Sequence, residues 1–79
     1  MEDRIYRVVS EVFGVSINDV NDDASPDTIP AWDSMAHINL ILSLEAEFDL
    51  SLSLEDGMEM LSVGLIRTIL VDAGATING

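Results

Sequence analysis

The sequence predicts an all-α fold, a small four-helix bundle with three longer helices, one short helix and a long first loop. Apolar residues recur at helical spacing in three stretches, and helix-capping residues stand at the ends of those stretches. The chain has no cysteine and only 5% aromatic residues, so the core is expected to be aliphatic and free of disulfides. At 79 residues, we expect one domain spanning 1–79, near the lower size limit for a core without metal or disulfides.

The first helix is predicted from an amphipathic stripe near the N-terminus. Its members follow the i, i+3, i+4, i+7, i+8 pattern: Ile5, Val8, Val9, Val12 and Phe13. Gly14 comes directly after this stripe and is the expected C-terminal stop, because glycine readily adopts the left-handed conformation that ends helices.

The first loop, residues 15–32, lacks helical periodicity and contains two prolines and a cluster of aspartates. A loop of this length in a small domain is usually functional or held down by its own side chains. Spaced apolar residues are expected to hold it to the core: Val15, Ile17, Val20, Ile29 and Trp32. We interpret Trp32 as such an anchor, with direct contact to a partner protein as the alternative.

The second helix is predicted from about Ser34 to Phe48. Leu40, Leu44 and Phe48 recur every four residues and are expected to face the core. Asp33 and Ser34 then stand at the helix N-terminus, as cap and first helical residue. Met35 and Leu42 cannot both share the core-facing side. For Leu42 the pattern leaves two interpretations open, an exposed docking surface or a second core face against the first loop.

Two further helices follow. Ser53 and Asp56 have the spacing of a capping box and open a short helix that Gly57 weakens and that ends near Leu61. Ser62 is the expected cap of the last helix, which Gly74 stops before a tail from Ala75 to Gly79. Gly64 costs that helix about 1 kcal/mol relative to alanine, unless close packing requires it. The last helix has a broad apolar face: Val63, Leu65, Ile66, Ile69, Leu70 and Ala73.

The charge balance limits the possible partners. The chain carries 15 acidic and 3 basic residues, a formal net charge of −12. Such a balance disfavours binding to nucleic acid or to an anionic membrane surface and favours encounter with basic protein surfaces. The sequence shows neither a basic-apolar signal segment nor an apolar run of membrane-spanning length. The expectation is a cytoplasmic monomer.

Two candidate chemical sites in the sequence lack residues that their chemistry requires. His37 lies one helical turn after Ser34, but a serine hydrolase also needs a group that orients the histidine and donors for an oxyanion. We therefore reject a serine hydrolase and interpret His37 as an exposed helix histidine. The stretch Asp19-Val20-Asn21-Asp22-Asp23 has the oxygen spacing of a calcium loop, yet Ala24 and Pro30 replace its glycine and glutamate. No specific metal site is predicted.

A resemblance to a known family adds to this picture. Trp32-Asp33-Ser34-Met35 resembles the Asp-Ser-Leu signature of the acyl carrier proteins, with Met35 in place of leucine. The helix that follows ends in Leu44-Glu45-Ala46-Glu47-Phe48, similar to the family's Leu-Glu-x-Glu-Phe. The resemblance implies a bundle of acyl-carrier type in which Ser34 carries a covalent 4′-phosphopantetheine arm from coenzyme A. It also implies that Asp33 lies beside the metal and phosphate while a phosphopantetheinyl transferase attaches the arm.

The implied function is that of a discrete acyl carrier, which holds acyl intermediates as thioesters and is not itself an enzyme. The fatty-acid branch of the family has acidic residues where this chain has Ala36 and Asn39, so the resemblance is closer to carriers of specialised biosynthetic pathways. The expected partners are the transferase and acyl-loading or acyl-transferring enzymes with basic docking surfaces. The expected docking residues are Met35, Ile38, Leu42 and Glu45. The alternative is an unmodified acidic helical adaptor that binds a partner through the second helix.

Overall fold

The computed structural model describes residues 3–75. All regular secondary structure in this range is helical. The helices are α1 (Arg4–Phe13), α2 (Ser34–Phe48), α3 (Leu54–Glu59) and α4 (Val63–Asp72), and a 3₁₀ turn (Ile17–Asp19) lies in the first loop. Three longer helices and one short helix were predicted, and both the class and the order are confirmed. The predicted tail lies outside the described residues after Ala75. None of the helices in this range has the length and apolar character that crossing a membrane requires.

The helix ends follow the predicted caps. Gly14 ends α1 with a φ of 67°, and Gly74 follows α4 with a φ of 96°. Ser53 and Asp56 form the complete capping box of α3, and Ser62 accepts a hydrogen bond from a backbone N–H of the first turn of α4. The one shift is at the end of α3, at Glu59 rather than near Leu61. These ends were predictable because each cap acts within a few residues of sequence.

One apolar cluster forms the core. The α-helices α1, α2 and α4 place side chains in it, and Met60, directly after α3, also belongs to it. Leu40 and Leu44 are fully buried as predicted, while Phe48 is half-buried at the edge. The predicted broad face of α4 is wrong in part, because Leu65 and Ala73 are exposed. The fully buried side chains are Ile5, Val9, Leu40, Leu44, Met60, Val63, Ile66 and Leu70.

The first loop is held down by its own apolar side chains. Val20, Ile29 and Trp32 are buried, as predicted, whereas Val15 and Ile17 are only half-buried. The Trp32 ring stacks on Phe13 at the end of α1, with ring centroids 4.9 Å apart. The interpretation of Trp32 as a core anchor is therefore confirmed, and the loop is held to the core at separate apolar positions along its length.

The backbone of the first loop also binds the N-terminus of α4. The N–H groups of Val63 and Gly64 donate to the carbonyl oxygens of Ala24 and Asp22, each at 2.9 Å. The first N–H groups of a helix have no partner within the helix, so the loop satisfies two of them. A Cβ atom at Gly64 would lie 3.2 Å from the Asp22 carbonyl oxygen. Close packing therefore accounts for a glycine at this position in α4.

We expect Gly64→Ala to bring none of the ~1 kcal/mol gain that alanine normally gives over glycine within a helix. The added methyl group would push against loop backbone that is itself hydrogen-bonded to Gly64. The free energy of unfolding, from urea denaturation, is the measurement. Thr68→Ala, at an exposed position of the same helix, is the control and should be neutral or slightly stabilising. A gain of about 1 kcal/mol for Gly64→Ala would contradict the packing argument.

Ion pairs use every basic side chain of the protein. Arg4 and Arg7 both bind the Glu47 carboxylate, at 2.9 and 2.7 Å, and so join α1 to the end of α2. Arg67 of α4 bridges Asp3, the N-cap of α1, and Asp22 of the first loop, at 2.6 and 3.1 Å. The chain has only three arginines and no lysine, so each of its cationic side chains forms an ion pair within the protein.

Candidate functional site

The N-terminus of α2 separates the roles of its two polar residues. Asp33 is the cap, since one carboxylate oxygen accepts the Ala36 N–H at 2.9 Å and its carbonyl oxygen accepts the His37 N–H at 2.8 Å. Ser34 is the first helical residue and is exposed, and its hydroxyl makes no hydrogen bond within residues 3–75. The predicted positions of cap and serine are confirmed. The serine hydroxyl therefore has no structural task at this helix end.

Ser34 lines an open cavity of about 500 Å³, which we call the Ser34 cavity. Its walls come from the first loop, from the start of α2, from α3 and from the short segment after α3. Apart from Asp33, Ser34 and His37, the walls are apolar. The other residues that line it are Pro26, Trp32, Asp33, His37, Met58 and Leu61.

His37 is not the exposed histidine that was predicted. It is half-buried, with Nδ1 2.9 Å from Trp32 Nε1 and Nε2 2.7 Å from the Gly57 carbonyl oxygen. Its ring lies nearly parallel to the Trp32 ring, at 19°. Sequence reasoning missed these contacts because one partner belongs to another helix, 20 residues along the chain. Since both ring nitrogens are engaged, neither is placed to take a proton from Ser34.

An exposed apolar surface lies beside this site. On α2 it comprises Met35, Ile38 and Leu42, with exposed fractions of 77%, 58% and 58%. Leu54, Met58 and Leu61, from α3 and the residues after it, are also exposed. A groove of about 380 Å³ runs between the two helices and includes Ile38, Leu42, Leu54 and Met58 in its lining. We call the six exposed residues of this region the α2–α3 surface: Met35, Ile38, Leu42, Leu54, Met58 and Leu61.

The exposure of Leu42 decides between its two interpretations. A second core face against the first loop is wrong, because Leu42 lines the groove between α2 and α3 and is exposed. Of the four predicted docking residues, Met35, Ile38 and Leu42 are exposed on α2. Exposed apolar patches of this kind mark binding sites in soluble proteins more often than isolated apolar residues do.

The acidic residues of α2 are less available than the sequence suggested. Glu45, the fourth predicted docking residue, lines the same groove, but one carboxylate oxygen accepts the Leu52 N–H at 2.8 Å. Glu47 is bound by two arginines, and the hydrogen bond from Arg4 holds its pKa below the usual range of a glutamate. The α2–α3 surface is thus apolar rather than acidic in character.

The two neutral positions of α2 lie away from the centre of this surface. Ala36 is half-buried and packs against the core. Asn39 lines a separate groove between α1 and α2, together with Glu11 and Ser43. Acidic side chains at these positions would therefore not both face a partner docked between α2 and α3.

The aspartate cluster of the first loop is partly committed to internal bonds. The Tyr6 hydroxyl donates to the Asp22 carboxylate at 2.8 Å, and Arg67 binds the same oxygen. The hydrogen bond from Tyr6 is the main reason that the pKa of Asp22 is lowered. Within residues 3–75, no three acidic, histidine or cysteine side chains are grouped in a way that could hold a metal ion.

No protein-family model matches this chain. The function is therefore inferred from the arrangement of the four helices and from the geometry around Ser34. Three features of that geometry bear on function: a free serine hydroxyl at a helix N-terminus, the cavity beside it, and the neighbouring α2–α3 surface.

Proposed function

We propose that this protein is an acyl carrier protein, which holds acyl groups on a 4′-phosphopantetheine arm attached to Ser34. The observation that carries the proposal is that Asp33, and not Ser34, caps the start of α2. Asp33 makes the capping hydrogen bond, so the exposed Ser34 hydroxyl can be esterified without loss of the cap. A phosphate at that position would be stabilised by the helix dipole and by unpaired backbone N–H groups.

The residues around Ser34 fit such a group. The backbone N–H groups of Ser34 and Met35 have no partner within residues 3–75 and would be available to phosphate oxygens. The Ser34 cavity offers apolar walls beside the attachment point. When bound, the arm would supply a thiol, which this chain without cysteine lacks, and hence the reactive thioester linkage that acyl transfer uses.

In this proposal the protein presents an acyl group and does not transform it. The α2–α3 surface adjoins Ser34 and is the proposed docking surface for the transferase and for the enzymes that load and unload the arm. Because its exposed residues on α2 are Met35, Ile38 and Leu42, apolar contact would contribute more to docking than ion pairs with basic groups. This character supports a specialised pathway rather than general fatty-acid synthesis, whose enzymes present basic patches to acidic carriers.

The α2–α3 surface also favours a second candidate function. An exposed apolar face formed by two helices is sufficient for a protein-binding adaptor, which would need no modification at Ser34. The two candidates differ in one measurable respect, the covalent state of Ser34 after exposure to a modifying enzyme.

Incubation with coenzyme A, magnesium and a broad-specificity phosphopantetheinyl transferase is expected to add the mass of one phosphopantetheine group. Ser34→Ala should abolish this gain in intact-mass measurements. The same variant should cost well under the ~1 kcal/mol that loss of a helix cap costs, because Asp33 supplies the cap. Asp33→Ala is the matched control for stability and should lose about 0.5 to 2 kcal/mol.

The pattern of results separates the two candidates. No mass gain with several transferases, for a wild-type chain shown to be folded, would favour the adaptor. If Ser34→Ala were as unstable as Asp33→Ala, Ser34 would have an ordinary capping role.

A further inference from the structure

The hydrogen bonds of His37 define its protonation state. The indole N–H of Trp32 can only donate, so His37 Nδ1, 2.9 Å away, must be an unprotonated acceptor. The Gly57 carbonyl oxygen can only accept, so Nε2, 2.7 Å away, must carry the proton. The two partners together therefore assign a neutral imidazole in a single tautomer.

This imidazole connects three segments that are far apart in sequence. Trp32 ends the first loop, His37 lies in the first turns of α2, and Gly57 lies within α3. His37 and Met58 line both the Ser34 cavity and the groove between α2 and α3. The ring thus stands between the two cavities and holds the loop on one side and α3 on the other.

We propose that Trp32, His37 and Gly57 form a pH-sensitive latch, which is closed when His37 is neutral and which releases Trp32 when His37 is protonated. A protonated imidazole carries hydrogens on both nitrogens, so Nδ1–H would face the indole N–H, donor against donor. The bond to the Gly57 carbonyl would survive and become stronger, because its donor would then be charged. The ring therefore stays with α3, and the indole is the group that leaves.

Within residues 3–75, the imidazole makes no hydrogen bond to an ionisable side chain. Among residues 3–75, the acidic side chains that line the two cavities are Asp33 and Glu45, and they accept hydrogen bonds from the backbone N–H groups of Ala36 and Leu52. None of the acidic residues of α3, Glu55, Asp56 and Glu59, lines either cavity.

The latch can be tested on the unmodified chain, independently of the proposed carrier function. Trp32 is the only tryptophan, so its fluorescence reports on this site alone. Acrylamide quenching measured between about pH 8 and about pH 5, where histidine ordinarily changes charge, should rise as the pH falls. Loss of the indole hydrogen bond corresponds to an increase of about two- to tenfold in the equilibrium for Trp32 opening. Helical circular dichroism should stay constant over the same range.

His37→Gln is the matched control, because its amide can donate to Gly57 and does not titrate. In this variant, the quenching of Trp32 should not depend on pH. Constant quenching in the wild type, or an equal rise in His37→Gln, would overturn the proposal.

A second variant covers the case in which His37→Gln does not fold. Trp32→Phe retains a ring against Phe13 but removes the indole N–H, so protonation of His37 no longer breaks a bond. The wild type should then lose more thermal stability than Trp32→Phe between about pH 8 and about pH 5. Equal losses in the two proteins would show that the Trp32–His37 bond is not the pH-sensitive element.

Discussion

Trp32→Ala is expected to lower the free energy of unfolding by about 3 to 5 kcal/mol, the cost typical of deleting a large buried aromatic side chain. Trp32 is only 4% exposed, stacks on Phe13 and donates to His37. The whole chain is expected to be stable by only about 4 to 12 kcal/mol, on the scale of ordinary domains of this length. One substitution in a loop would thus remove a large share of the stability.

Urea denaturation followed by circular dichroism measures this loss. Trp32→Phe is the matched control, since it keeps a ring against Phe13 and should retain most of the stability. Because Trp32 lines the Ser34 cavity, whatever fraction of Trp32→Ala stays folded should also show faster amide hydrogen exchange in the first loop. A loss below about 1 kcal/mol for Trp32→Ala would mean that the loop is not held by its tryptophan.

The elements of the fold were predictable because their signals are local. Asp33, Ser53 and Ser62 each cap a helix by accepting a bond from an N–H group three residues later. Likewise, the buried residues of α1 follow a single stripe. Signals of this kind depend on spacing within one segment and require no knowledge of how the segments pack.

What could not be predicted depends on contacts between distant segments. Arg67 and Asp3 are 64 residues apart, and nothing in the sequence pairs this arginine with that aspartate. The bonds from the start of α4 to the carbonyl oxygens of the first loop involve only backbone atoms, which carry no sequence signal. The role of Gly64 follows from these bonds, so the sequence allowed two explanations and the packing decided between them.

The candidate site divides in the same way. The positions of Asp33 and Ser34 followed from the capping pattern, but the environment of His37 depends on where α3 lies. The case of Leu42 is similar, because α2 is apolar on several faces and periodicity alone cannot identify the buried one. In the structure α3 leaves Leu42 exposed, so it contributes to a surface and not to the core.

Glu47→Gln is expected to destabilise the protein by about 1 to 2 kcal/mol, between the values typical of exposed and buried ion pairs. The Glu47 carboxylate is bound by Arg4 and Arg7, and it joins the beginning of α1 to the end of α2. The substitution also reduces a net charge of −12, which by itself relieves repulsion. Glu11→Gln is the matched control, because Glu11 is exposed on α1 and makes no ion pair within residues 3–75.

The pH dependence of this difference provides a sharper test. The hydrogen bond from Arg4, assisted by the charge of Arg7, lowers the pKa of Glu47 in the folded protein. A carboxyl whose pKa is lower in the folded than in the unfolded state contributes stability above its ordinary value, about 4.3 for glutamate, and loses that contribution as the pH falls through the lowered value. The wild type should therefore exceed Glu47→Gln in stability at neutral pH, and the two should converge below about pH 4. Urea denaturation at a series of pH values measures the difference, and repulsion common to both proteins largely cancels. A difference that persists unchanged into acid would mean that packing at this position, rather than the charge of Glu47, holds α1 against α2.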